Sequence, residues 1–352
     1  MPYDRPPACR RRLIFKPRAP TVKPHLIPKN FRMASPPMPP TDPWTDFPDI
    51  LLDDVPRVLH RMREVEDFQR PAYLERLVEL GPAVLPHLVA LLRDPDVEIR
   101  VAAVHNVGEL IERHELDAEP LDPFVTDQDA SVRWTAALHL VKQNRQTDLA
   151  VPILLEDFKV FPTVNFDEDN EYDYDEECGR IEVLEAIGSV DPAPAAVIEA
   201  AIDALDDACL TVRHAALRCL TRLGTAASDA IPKIRTLLDL AASDSRHVSN
   251  RSTRASDWHA AHQQVLLAVA ALHAIGGECR DGLVLEVLRH PQAGSVNHYR
   301  AIQILGDLPI TDAVRDVASD YVATLHDPFL NQAAESNLDR GISASTRDTP
   351  TS

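Results

Sequence analysis

Fourteen histidines and 55 carboxylates give this 352-residue chain an ample stock of groups for metal binding and proton transfer. Spacing decides what they can do. His259 and His262 lie one helical turn apart with Asp257 beside them, which is half of a metal site. No second pair accompanies them, so neither a metal nor any cofactor is expected. The run 167–177 holds eight acids in eleven residues, and Asp167, Asp169 and Glu171 fall at the first, third and fifth positions of a calcium loop. Tyr172 stands where that loop needs glycine, and Cys178 where it needs a bidentate glutamate. Two readings stay open for the run: a solvated loop, or an acidic docking peptide for a basic partner with Tyr172 and Tyr174 as anchors. A Gly-rich phosphate loop, a Gly-x-Ser-x-Gly elbow and a His-Glu-x-x-His motif are all missing, so no residue is assigned as catalytic.

The arginines are more regular. Arg100, Arg133 and Arg213 each follow a turn that carries aspartates, Asp94, Asp127 and Asp207 among them. Residues locked to a repeat first serve the repeat, so these six are read as a structural ladder of hydrogen bonds and ion pairs. A phosphate or carboxylate clamp is the alternative. The net charge of -19 argues against nucleic acid as a partner, because phosphate needs a basic groove. Five scattered cysteines (9, 178, 209, 219 and 279), without a Cys-x-x-Cys, exclude a disulfide framework and favour a reducing, cytoplasmic setting. No run of eighteen apolar residues occurs, so no membrane span is expected.

The elements that must position these groups are clearest in Leu80 to Ile111. Leu80-Gly81-Pro82 closes a preceding helix. Val84, Leu85, Leu88, Leu91 and Leu92 then fall at three- and four-residue steps, the stripe of an amphipathic helix. Asp94-Pro95-Asp96 breaks the chain and offers an N-cap for the next helix. That helix carries Ile99, Ala103, Val104, Val107, Leu110 and Ile111 on one side.

This set resembles a HEAT repeat, specifically the bacterial type also seen in phycobilisome-lyase-like proteins. The features that match are the Leu-Gly turn, the Val-x-x-Leu-x-x-Leu-Leu helix, the Asp-x-Asp turn and the Ile-Arg-x-Ala-Ala opening of the second helix. The resemblance implies an all-α, α-α superhelix, a HEAT-like solenoid of about six to seven helical pairs whose second helices line a concave side. It carries almost no functional information, because function sits on sites rather than on folds. HEAT-like iron hydroxylases carry four His-Glu dipeptides, whereas only His114-Glu115 occurs here. An enzyme or enzyme accessory of the lyase or metal-dependent modifier type is the alternative reading.

Further copies follow. Asp127 to Ala137 repeats the turn and second-helix opening, with Arg133 standing 33 residues after Arg100. Ile181–Ile187, Val212–Leu223, Trp258–Ile275, Tyr299–Leu305 and a polar helix from Phe329 are the expected later second helices, and a polar loop is expected from Ser243 to Ser256. Residues 1–48 hold 13 of the 29 prolines, and residues 1–32 carry nine Lys/Arg against one acid. They are expected to be disordered, or to lie in part upstream of a start at Met33. The solenoid is expected over 49–340 with an acidic insertion at 159–177, and a disordered tail over 341–352. Offsets one and five after the repeat arginine, expected to face away from the apolar stripe, give His105, Trp134, His214 and Arg218 as candidate binding residues. Trp258, His262, Tyr299 and Gln303 are added from the less regular copies. The expected partner is another protein, with this chain as scaffold, adaptor or regulatory subunit.

Overall fold

The computed structural model describes residues 49–65, 70–160, 174–251, 255–290 and 293–345. Residues 1–48, the core of the acidic insertion at 161–173 and residues 346–352 lie outside the described residues. Among the described residues there are fifteen α-helices and no strand, so the fold is all-α, an array of HEAT-like α-α pairs. The chain divides into two compact units, Met1–Ile153 and Leu154–Ser352.

In the first unit, α1 (Val55–Glu64) pairs with α2 (Arg70–Val78), and α3 (Leu85–Leu91) with α4 (Val97–His114). A 3-10 segment, Glu119–Thr126, pairs with α5 (Ala130–Lys142). Pro120 and Pro123 remove two backbone donors within four residues, and the α ladder does not form. The second helices α2, α4 and α5 pack on one another in succession. Each pair leaves an apolar stripe that only its neighbour covers, as Leu74, Leu88, Ile99, Val107, Leu110 and Leu140 show by their full burial.

α6 (Thr147–Val160) carries the chain into the second unit. There α7 (Tyr174–Ile187), α9 (Leu210–Leu223), α11 (Ala255–Gly276), α13 (Gly294–Asp307) and α15 (Pro328–Ser345) pack in succession. α8 (Ala195–Asp203), α10 (Ile231–Arg251), α12 (Asp281–Arg289) and α14 (Asp312–Thr324) are the first helices of their pairs. Three boundaries differ from expectation. α7 starts at Tyr174 rather than Ile181. The polar loop expected at 243–256 is helical through Arg251, because no Gly or Pro interrupts it. α15 runs to Ser345, past the tail boundary expected at 341.

The turns are built the same way each time. Asp94, Asp127 and Asp207 accept the backbone N–H two residues on, at 3.1, 2.8 and 2.8 Å. In the first two turns the second aspartate caps the helix: Asp96 accepts from the Glu98 N–H, and Asp129 from those of Ser131 and Val132. Cys209 occupies that place ahead of α9 and makes no side-chain cap.

Candidate functional site: the second helices

The repeat arginines fold back on their own turns. Arg100 Nη1 donates to the carbonyls of Asp94 and Pro95 at 2.9 and 3.3 Å. Arg133 does the same to Asp127 and Gln128 at 2.8 and 2.9 Å, and Arg213 to Asp207 and Ala208 at 2.6 and 3.0 Å. The turn aspartates also meet arginines from neighbouring pairs: Arg63–Asp94 at 2.6 Å, Arg100–Asp127 at 3.5 Å and Arg180–Asp207 at 2.5 Å. Burial raises the Asp94 carboxyl, but the hydrogen bonds from Arg63 and the Asp96 N–H, with the cations of Arg63 and Arg100, hold it below its usual range. The arginines are thus largely spent on their own turns, Arg100 alone of the three also reaching the next turn aspartate, which leaves these donors little capacity for a ligand.

In the first unit the candidates His105 and Trp134 lie on α4 and α5. His105 is half-buried, with its ring centroid 5.5 Å from that of His139. His139 Nδ1 donates to Glu112 at 2.6 Å, and Lys142 reaches the same carboxylate at 3.3 Å. Burial first, then the charges of His139 and Lys142, push His105 down to about 4, against a smaller opposing pull from Glu109 and Glu112. Burial raises Glu112, and His139 and Lys142 together hold it below the usual carboxylate range. Gly108 makes this packing possible: a Cβ there would sit 2.1 Å from the His139 ring. Trp134 is only 5% exposed, so it does not face away from the core as expected. The reason is in α5 itself, where every residue from Trp134 to Val141 is buried. A helix that is buried all round has no solvent face to give.

In the second unit His214 and His262 are 4% and 3% exposed, again buried where exposure was expected. His262 packs on the His290 ring at 4.6 Å between centroids. Burial, then the nearby His290, His259 and His298, push it down to about 4. His214 is pushed to the same value by burial and then by Arg218, Arg213 and Arg300. Arg218 pairs with Glu185 at 3.2 Å. Tyr299 stacks on Phe329 with centroids 5.2 Å apart and rings 30° from parallel. Gln303 is half-buried one turn further along α13. Trp258 lies outside the residues whose side chains are described. Among the described residues no three His, Cys, Asp or Glu side chains converge to hold a metal ion.

The structure thus sets His214 within electrostatic reach of Arg218, Arg213 and Arg300, and places Tyr299 against Phe329. Arg300 and Phe329 were not expected from the sequence. Arg300 carried a usable signal: it stands six residues before Gly306, as Arg218 stands before Gly224. Phe329 carried none, because its partner ring comes from a different pair.

Residues 84–114 match the family described as HEAT repeat. A crystal structure of an engineered protein is similar over 62% of this chain and 97% of its own, with 18% sequence identity and a TM-score of 0.35. No curated protein matches the chain. The match spans α3 and α4 with the Asp94–Asp96 turn between them; the arginine contacts of that turn recur at Asp127 and Asp207, and its side-chain cap recurs at Asp129. The chain is accordingly an all-helical protein carrying a HEAT repeat at residues 84–114.

Proposed function

We propose that this chain is a protein-binding scaffold or adaptor that engages its partner through second helices. One observation carries the reading. On α13 and α15, Tyr299 stacks on Phe329, which is 62% exposed, and Val296, one turn from Tyr299, is 69% exposed. An exposed aromatic ring stacked on a second one is the composition of an interface anchor. The net charge of -19 disfavours nucleic acid. Cys219 and Cys279 are free thiols, which suits a reducing, cytoplasmic setting. No described helix is long and apolar enough to cross a membrane. The finer likeness to the bacterial, phycobilisome-lyase-like type of HEAT repeat is part of the same proposal and rests on the Leu80–Ile111 motif. Trp134, His214 and His262 are poor probes of binding, since truncating buried side chains perturbs folding. The test is affinity capture from native lysate with the full chain and with a Tyr299→Ala/Phe329→Ser variant of equal helical content. A specific partner should fall at least tenfold in the variant. An unchanged set of captured proteins would overturn the reading.

A further inference from the structure

Four histidines meet where α11, α12 and α13 pack together in the second unit. His262 on α11 is buried and lays its ring on that of His290, the residue that ends α12, with centroids 4.6 Å apart. His298 on α13 is buried too, and its Nε2 donates to the His290 carbonyl at 3.1 Å. A Cβ on Gly294 would fall 2.2 Å from the ring of His259, one turn before His262. The His259 carbonyl accepts from the Asn297 side chain at 3.1 Å. The end of α12 is thus fastened by α11 through His262 and by α13 through His298. α14 adds a third tie: the Tyr321 hydroxyl donates to the Arg289 carbonyl at 3.0 Å, and its ring stands edge-on to His298 with centroids 6.3 Å apart.

This packing suits neutral rings, because a buried imidazole gives up hydration when it is charged. Of the groups that act on the His262 ring, α12 brings His290, α13 brings His298 and α11 itself brings His259. α9 faces α11 with Arg213, held by Gln264 at 3.4 Å. Among the described residues, none on α10 or on the Gly224–Ala230 segment acts on the ring. Asp257 stands five residues before His262, outside the residues whose side chains are described. His290 feels burial first and then His298, and both lower it. Each proton that enters the cluster therefore raises the cost of the next. The end of α12 is the piece that can give way: α12 has nine residues against 22 in α11, and so short a helix is held by its contacts.

We propose that His259, His262, His290 and His298 form an acid-sensitive latch: neutral, they hold the end of α12 against α11 and α13, and on protonation they release it ahead of the rest of the second unit. The latch does not depend on the protein-binding reading above, since it is read in amide exchange and not in capture. Release uncovers His262, which then titrates near 6.5, whereas in the fastened state it titrates at about 4. The released state accordingly binds more protons once the pH falls below 6.5, and above that pH the latch is fully shut. At pH 5 His262 alone shifts the opening equilibrium by about thirtyfold.

The test is hydrogen exchange of the full chain, read by mass spectrometry at pH 7.5 and pH 5 and corrected for the intrinsic pH dependence of amide exchange. Amides of α12 should lose about thirtyfold in protection at pH 5. His262→Gln keeps a polar side chain without a titratable ring, and should hold that loss within about threefold. An α12 unchanged at pH 5, an equal loss in His262→Gln, or a loss spread evenly over α7 to α15 would each overturn the latch. Should His262→Gln fail to fold, His290→Gln at its half-buried position takes its place. Without the His290 charge the loss should be smaller than in the natural chain, and an equal or greater loss would overturn the proposal.

Discussion

Three imidazoles are kept neutral by their surroundings, and that couples folding to pH. His105, His214 and His262 are each pushed from an ordinary 6.5 down to about 4, with burial as the leading cause. In the unfolded chain they protonate near 6.5, so below that pH the unfolded state binds more protons than the folded one. Stability contributed by their neutrality is full above pH 6.5 and drains as pH falls to about 4. Asp94 and Glu112, both held below their usual range, extend the loss to lower pH. Urea midpoints measured between pH 7.5 and 4 should therefore fall steadily with acid, and a flat profile would contradict the burial of these rings. The thiols differ just as sharply. Burial pushes Cys219 up to about 12, while Cys279 is exposed. In the native state iodoacetamide should label Cys279 and leave Cys219 untouched, as mass spectrometry of the digested protein can show. None of these states was legible in the sequence. The offset rule placed His214 and Trp134 outside because it counts position on a helix, while burial depends on what the neighbouring helices bring.

At the scale of the helix, the sequence was read well where capping chemistry writes the boundary and less well where composition alone was the guide. Asp96 and Asp129 cap α4 and α5 from their expected places. The serine- and arginine-rich stretch before Ala255 looked like loop because it is polar, but polarity does not stop a helix that lacks Gly and Pro. Close helix packing depends on glycines whose role spacing cannot reveal. Gly108→Ala would drive a methyl into the His139 ring and should destabilise the first unit by about 1–3 kcal/mol, read as a shift in urea midpoint. At the caps, Asp129→Ala should cost about 1 kcal/mol in the same assay.

For the whole molecule, stability is shared between neighbours rather than held in one core. Gly306 shows how local that sharing is: a Cβ there would lie 2.5 Å from the backbone oxygen of Asn337 on α15. Gly306→Ala should raise hydrogen exchange in α13 and α15 first and leave the amides of α1 to α5 protected. The repeat architecture was readable because turns and stripes recur along the chain, whereas the Tyr299–Phe329 stack required knowing which helices stand beside which. The unbroken burial of α5 has a consequence for how this gene can change. Along α4 the residues left partly open, Val101, His105, Glu109 and Glu112, come every three or four positions. A saturation library should therefore accept polar substitutions in α4 with that rhythm. In α5 there is no such rhythm to find: from Trp134 to Val141 every site is buried, and apart from His139, which already meets Glu112, each should reject charge, making this pair the part of the array slowest to diverge.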